Sequence, residues 1–206
     1  MDTHPDGDTL AASAAFPVEM RARLARREPA ALALFFDTFF ERVYGYIRRL
    51  VPDEHLAEDL TQDVFLQVQR ALASYDPARD PRPWLFTIAT NKLRDHWRSR
   101  AHQEGRAEAS LDQEEISARL PAPSAAPDAT LGSEELGAAV RAAIEALPPG
   151  LRAALVLRLD EGLDFAEIGR ILERNEVAAR KRYSRALEAL REALGPLWRL
   201  SSEGRA

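Results

Sequence analysis

The side chains best suited to binding chemistry lie in the stretch PRPWLFTIATNKLRDHWRSR, residues 81–100. At about 100° per helical residue, five of them share one side of a helix. They are Trp84, at the edge of that side, and Thr87, Asn91, Arg94 and Arg98. An aromatic ring can stack on an unpaired base, an amide can read a base edge, and guanidinium groups can hold phosphates. This strip predicts contact with single-stranded nucleic acid.

The opposite side of the same helix is apolar. Leu85, Ala89 and Leu93 recur at four-residue steps and predict a buried face. Two roles remain open for Trp84, because its ring can stack on a base or pack inward beside Ile88.

A second basic set lies in NEVAARKRYSRALEALREAL, residues 175–194. A four-three-four spacing of apolar residues predicts an inward stripe, which leaves the basic side chains on or beside the outer face. The candidate DNA-contacting residues are Asn175, which is also the predicted N-cap, and Arg180, Lys181, Arg182, Ser184 and Arg185. Arginine can contact guanine with two hydrogen bonds, and either cation can pair with phosphate. A solvated basic face is the alternative.

The segment before this helix favours DNA contact. Asp164 and Glu167 have the spacing of a capping box and open the short helix FAEIGRIL. Two helices joined by a short connection, the second of them basic, is the helix-turn-helix pattern.

An acidic helix precedes the strip. It begins at Asp53, its predicted N-cap, and carries Glu58, Asp59 and Asp63, with no Lys or Arg before Arg70. The first-turn acids also suit the helix dipole, but Asp59 and Asp63 lie beyond that turn. Such a surface favours a basic protein partner over nucleic acid.

The composition excludes several classes of function. The chain has 206 residues, a net charge of −5 and 46% hydrophobic residues, enough for a packed core. With no cysteine and four scattered histidines, we expect no disulfide, metal site or cofactor. We find neither paired carboxylates nor a Gly-rich phosphate loop, so nothing in the sequence indicates an enzyme or a small-molecule substrate. Without a signal peptide or membrane-length apolar run, a cytoplasmic protein is expected, with no membrane insertion.

Periodicity predicts an all-α fold of two small helical domains joined by a flexible linker, since no stretch has the alternation of a strand. The linker is rich in Pro, Ala and Ser and lacks periodicity. The predicted boundaries are an N-terminal tail, partly disordered, at 1–27, a first domain at 28–100, the linker at 101–132, a second domain at 133–194 and a C-terminal tail at 195–206.

Four segments together resemble bacterial sigma factors of the extracytoplasmic-function (ECF) type. AEDLTQDVFLQVQRAL and PWLFTIATNKLRDHWRSR resemble region 2, while LPPGLRAALVLRLDEGLDFAEIGRIL and ARKRYSRALEALR resemble region 4. The resemblance implies a region 2 helical bundle at 28–100 and a region 4 helix-turn-helix at 133–194. It implies a protein that binds core RNA polymerase and directs promoter-specific initiation without catalysis of its own.

The resemblance also implies roles for particular residues. The segment containing Glu58, Asp59, Leu60, Gln62 and Asp63 matches the part of region 2 that binds the clamp coiled coil of the largest polymerase subunit. The strip around Asn91 matches the part that recognises and melts the minus-ten element, and its tryptophan has a packing role in the family. The basic helix matches the reader of the minus-thirty-five element. An anti-sigma factor is the implied inhibitory partner.

The chain departs from this family in the helix-turn-helix connection. Glu173 stands where the family usually has glycine, and Asn175, Val177, Ala178 and Ala179 follow where Ser-x-Gly-Thr-Val is common. Glycine adopts the left-handed conformation without strain, so its loss predicts a shifted or remodelled turn and altered minus-thirty-five contacts.

Two other functions are compatible with the residues. A conventional helix-turn-helix regulator would bind duplex DNA without polymerase, usually as a dimer. A helical adaptor would use only the acidic helix, and would retain its partner after charge reversal of the basic helix.

Overall fold

A computed structural model describes residues 16–103 and 133–203 of the chain. Every regular element in these two ranges is helical, which confirms the predicted all-α class. The helices are α1 Val18–Ala25, α2 Pro29–Leu50, α3 Glu54–Ala71, a 3₁₀ turn at Leu72–Ser74, α4 Pro81–Gln103, α5 Ser133–Ala146, α6 Pro149–Leu159, α7 Phe165–Ile171 and α8 Glu176–Glu203. The predicted linker at 101–132 lies outside the described residues, apart from the last three residues of α4.

The first domain is built on α2, α3 and α4. Pro29 occupies the first position of α2, where its missing N–H removes no hydrogen bond. At the start of α3 the Asp53 carboxylate accepts a hydrogen bond from the Leu56 amide at 3.2 Å, as a predicted N-cap should. The periodic apolar residues Phe39 and Val43 of α2 are fully buried. Their burial against α3 and α4 gives the domain its core.

Helix α1 is an element that the sequence interpretation missed. The tail predicted for 1–27 does not describe residues 16–27, which include α1 and the fully buried Phe16 and Leu24. The Phe16 ring lies 5.6 Å from the ring of Phe35 and 6.0 Å from that of Phe39. Aromatic burial of this kind fixes a helix too short and too arginine-rich to show an apolar period.

The second domain is formed by α5 to α8. Leu147, Leu151 and Leu155 pack with Ala186 and Ala189 of α8 in an apolar cluster of their own. Helix α8 continues to Glu203, beyond the predicted domain end at 194. Within the described ranges, no helix is both long enough and apolar enough to cross a bilayer.

The two domains pack against each other. Helix α2 contacts α6, and α4 contacts α7. Buried residues of both domains, among them Phe39, Val156 and Ile168, belong to one continuous apolar cluster. Charged groups also cross the boundary, since Arg42 of α2 pairs with Glu161, which follows α6 and has a side chain only 4% exposed.

Candidate nucleic-acid interface

Helix α4 is fixed at its start by a charged cap. Pro81 opens the helix, and the carboxylate of Asp80 accepts hydrogen bonds from the Arg82 backbone amide at 2.8 Å and from its guanidinium. Burial raises the pKa of Asp80, but the hydrogen bonds from Arg82 outweigh it and hold that pKa below its ordinary value. The apolar side predicted from the sequence, including Leu85 and Leu93, is fully buried. The opposite side of α4 is therefore turned outward.

On that outer side, the strip residues differ in how far they are available to a ligand. Asn91 and Arg98 are exposed. Arg98 lies 3.4 Å from the Asp95 carboxylate, an exposed pair of little energetic weight. The Thr87 hydroxyl donates to the Pro83 carbonyl at 2.7 Å, so its proton is used within the helix. Asn91 has the more accessible hydrogen-bonding group of the two polar uncharged members.

Trp84 is half-buried and packs against other aromatic rings. Its ring centroid lies 5.1 Å from that of Tyr75 and 6.5 Å from that of Phe35. These contacts favour the packing role, although one side of the residue borders a cleft of about 570 Å³. The cleft is lined by Ser74, Tyr75, Asp76, Arg79, Asp80, Pro83, Trp84, Thr87, Glu167, Arg170 and Ile171.

Arg94 is the least accessible cation of the strip. Its side chain is 14% exposed and pairs with Glu173 of the second domain, Nη1 to Oε1, at 2.9 Å. The same nitrogen donates to the Asn91 Oδ1 at 2.9 Å. Sequence reasoning missed the contact to Glu173, because no local pattern joins residues 79 positions apart.

The helix-turn-helix is built by local caps. Both hydrogen bonds of the Asp164–Glu167 capping box are present, at 2.7 and 3.0 Å, as the sequence predicts. The Asn175 side chain accepts from the Ala178 amide at 2.8 Å and caps α8. A capping oxygen already occupied in this way is a weaker candidate for a DNA contact.

The connection between α7 and α8 keeps the regular geometry despite the absent glycine. Glu173 adopts a left-handed conformation with φ of 55°. The Glu173 amide donates to the Arg170 carbonyl at 3.2 Å, and the Arg174 amide donates to the Gly169 carbonyl at 2.7 Å. These are the two bonds of a Schellman motif. The expected shift of the turn is therefore absent, and a glutamate holds the position that glycine would occupy without strain.

Gly169 makes this close turn possible. A Cβ atom on Gly169 would lie 2.8 Å from the Arg174 carbonyl oxygen, too near for any other residue. The glycine that the turn requires is thus inside α7, four residues before the left-handed position.

The outer face of α8 presents most of the predicted basic residues. Lys181, Ser184 and Arg185 are exposed. Arg180 is also exposed; its guanidinium carbon lies 4.7 Å above the Phe165 ring and one of its nitrogens is 2.9 Å from Glu176. Arg182 differs from its predicted place, because it is only 3% exposed and belongs to the interior of the domain.

Most of the predicted polymerase-binding residues of α3 are exposed. Glu58, Asp59, Gln62 and Asp63 are exposed, while Leu60 is 7% exposed and packs in the core. Asp63 lies 3.6 Å from Lys92 of α4, which links this surface to the strip helix.

An apolar groove lies beside Gln62 and was not anticipated from the sequence. Phe36 of α2 and Leu66 of α3 are exposed and border a groove of about 350 Å³. Its presence next to the acidic residues gives this surface both charge and apolar area, the usual combination at protein interfaces.

Comparison with known proteins identifies the family. Residues 35–103 match the family model for sigma-70 region 2, and residues 137–190 match that for sigma-70 region 4. The RNA polymerase sigma factor CarQ of Myxococcus xanthus is 40% identical over 156 residues, which are 76% of this chain and 84% of CarQ. The chain belongs to the ECF family of RNA polymerase sigma factors.

A second relative supports the same family for this sigma factor, and a solved structure shares its fold. The ECF sigma factor SigE of Mycolicibacterium smegmatis is 38% identical over 154 residues, 75% of this chain and 58% of SigE. The solved structure of the sigma factor RpoE with the anti-sigma factor NepR from Bartonella quintana shares the fold at a TM-score of 0.59. Its identity is 21%, and the match covers 78% of this chain and 94% of RpoE. As a sigma factor, the protein directs RNA polymerase to promoters.

Proposed function

We propose that the first domain, residues 28–100, binds core polymerase and the minus-ten element, and that the second, residues 133–194, reads the minus-thirty-five element. The observation that carries the proposal is the exposed Asn91 amide between Arg94 and Arg98, on a helix whose other face is core. A rigidly mounted amide flanked by cations suits an unpaired base and its phosphates. Each base captured in this way stabilises the melted promoter.

The roles within the strip are unequal. Asn91 reads a base edge, while Arg94 and Arg98 hold the backbone of the separated strand. Trp84 supports the helix from the packed side and contributes its remaining open surface to the cleft. Thr87 contributes its methyl group and shape, since its hydroxyl proton is already donated.

The N-terminal half of α8 enters the major groove. Its exposed residues Lys181, Ser184 and Arg185 face outward and are the principal contacts, with Arg180 beside them. Arg182 acts from inside the domain by positioning the helix, because its burial keeps it from the groove. Asn175 acts as the helix cap.

The acidic surface of α3 binds the clamp coiled coil of the polymerase. Exposed carboxylates at Glu58, Asp59 and Asp63 complement a basic partner, and Gln62 adds a hydrogen-bonding group beside the apolar groove. Leu60 shapes this surface from the core. The factor itself catalyses no reaction, since it acts through binding energy, and it works in the cytoplasm with polymerase and chromosome.

An anti-sigma factor is the proposed inhibitory partner. The support is the structural likeness to RpoE, a sigma factor solved in complex with an anti-sigma factor.

The test separates strand capture from duplex binding. Asn91→Ala is compared with Ser99→Ala, a matched change at an exposed position of the same helix. With core polymerase and a promoter, we expect Asn91→Ala to slow open-complex formation, measured by permanganate reactivity, about 10-fold or more, the effect of losing a base-specific contact. Binding to intact duplex should change little. Equal losses in both assays, or an equal effect of Ser99→Ala, would contradict the proposal.

A further inference from the structure

One member of the predicted minus-ten strip, Arg94, is covered by the second domain of the same chain. One guanidinium nitrogen of Arg94 donates a hydrogen bond to the Glu173 carboxylate at 2.9 Å, and the other donates to the Ile171 carbonyl at 3.2 Å. The guanidinium that contacts Glu173 also donates to the Asn91 side-chain oxygen, so it lies directly beside the proposed base reader. The partner surface is the helix-turn-helix connection itself.

The conformation of Glu173 makes this contact unusual. A glutamate with φ of 55° holds a strained backbone that glycine would adopt without strain. The other left-handed position in the described part of this domain, at φ of 65°, is occupied by Gly162. At residue 173 the strained backbone carries a carboxylate to Arg94, a contact that glycine could not make.

Further polar contacts between described residues hold the same two domains together. Arg42 pairs with the buried carboxylate of Glu161, and Arg82 donates to the Glu161 carbonyl at 2.9 Å. Arg49 of α2 pairs with Asp160 at 2.9 Å. With Arg94 and Glu173, they tie the segments on either side of α7 to α2 and α4.

We propose that these contacts form an intramolecular latch that holds the free sigma factor in a closed state unable to engage a promoter. The inference rests on the proposed function of α4 and α8. Elements named for positions −10 and −35 are centred about 25 base pairs apart, or about 85 Å along B-DNA. In the closed state α8 begins three residues after Glu173, so its start lies within about 11 Å of that residue.

The two reading helices therefore cannot reach both elements until the domains separate. Opening frees the Arg94 guanidinium, which can then hold the separated strand beside the exposed Asn91 amide. A ligand that binds only the open state has its apparent affinity reduced by the fraction of molecules that are open.

The test uses full-length protein without polymerase and a single-stranded minus-ten oligonucleotide. Glu173→Gln removes the charge and keeps the side-chain length, and Glu188→Gln makes the same change at an exposed position of α8. Since the pair is partly exposed, we expect Glu173→Gln to raise oligonucleotide affinity about 2- to 5-fold by fluorescence anisotropy. Glu188→Gln should leave it unchanged.

Domain separation is measured directly. The chain has no cysteine, so cysteines introduced at the exposed residues Arg70 and Glu192 accept nitroxides at these sites alone. Double electron-electron resonance measures the distance between the two nitroxides. We expect a single short distance in the parent and a larger population of long distances in Glu173→Gln. Glu173→Gly should open the latch similarly, and Arg27→Gly, which relieves the left-handed residue after α1, should not.

The outcomes distinguish the latch from the function on which it rests. Unchanged distances and unchanged affinity in Glu173→Gln overturn the latch, whereas the proposed role of Asn91 stands if Asn91→Ala still weakens the oligonucleotide. A third outcome is that the distances lengthen in Glu173→Gln while its oligonucleotide affinity is unchanged and Asn91→Ala has no effect. The contact between the domains then stands, but the minus-ten role of α4 and the inhibition by the closed state are overturned.

Discussion

The buried pair between Arg42 and Glu161 allows a sharp test of how the domains are held. The Arg42 side chain lies over the Phe39 ring, and the Glu161 carboxylate is almost completely buried. Arg42→Met keeps the apolar stem and removes the charge, which leaves the carboxylate without its ion-pair partner. Removing one member of a buried pair typically costs about 3–5 kcal/mol. We expect a loss of free energy of unfolding in this range, measured by urea titration with tryptophan fluorescence.

Glu161→Gln should behave differently. Burial raises the pKa of Glu161 above its ordinary value although Arg42 lowers it, so the folded protein does not favour the charged carboxyl. The amide keeps an oxygen for Arg42 and has no buried charge, and we expect a loss of about 1 kcal/mol or less. Equal losses for Arg42→Met and Glu161→Gln would refute this reasoning, as would a loss below about 1 kcal/mol for Arg42→Met.

The same pair predicts a pH dependence. The charged groups near Glu161 are Arg42 from α2, Arg82 from α4 and the adjacent Asp160. Because the folded pKa is raised, the stabilisation from protonating Glu161 is complete below the ordinary glutamate pKa and is lost as pH rises through the raised value. The deficit of Arg42→Met should therefore shrink when the urea titrations are repeated at pH 5 instead of pH 7. A deficit that grows on acidification contradicts the assignment.

Three further predictions concern local structure. Gly169→Ala places a Cβ against the Arg174 carbonyl, and gel shifts should show weaker duplex binding, with minus-ten oligonucleotide binding unchanged or improved; loss of both would indicate general unfolding. Asp164→Ala removes the capping box and should lower the free energy of unfolding by about 1 kcal/mol, whereas Asp164→Ser should restore most of it. Burial raises the pKa of Tyr46 to about 12 despite its hydrogen bond to Thr90. Its stabilising contribution is complete below pH 10 and lost as pH rises through 12. Burial also raises the pKa of Tyr75 to about 12, so ultraviolet titration should show delayed phenolate formation by two tyrosines, and Tyr46→Phe should remove one of them.

The sequence was most informative where structure depends on neighbours along the chain. The caps at Asp53, Asp164 and Asn175 were readable because each side chain bonds an amide three residues later. The buried side of α4 followed from its four-residue spacing. These local rules were enough for the fold class, the helix-turn-helix and the outward strip on α4.

Other features depend on residues far apart in sequence. The Arg42–Glu161 pair joins positions 119 apart, and no composition or spacing identifies it. Burial of Arg182 likewise depends on how the neighbouring helices pack around α8. The periodicity of α1 does not predict this helix, because its position is fixed by the packing of Phe16 against the aromatic rings of α2.

The proposed latch and promoter binding use the same cation, which links the two events thermodynamically. A DNA phosphate and the Glu173 carboxylate are alternative partners for Arg94, so either can displace the other without leaving the guanidinium unpaired. DNA that binds the open state must therefore shift the population toward it. Added salt weakens the partly exposed latch, but it weakens phosphate contacts as well. Since several phosphate contacts outweigh one ion pair, promoter affinity should still fall as the salt concentration rises. The fall should be less steep in the parent than in Glu173→Gln, because only in the parent does salt also weaken the latch.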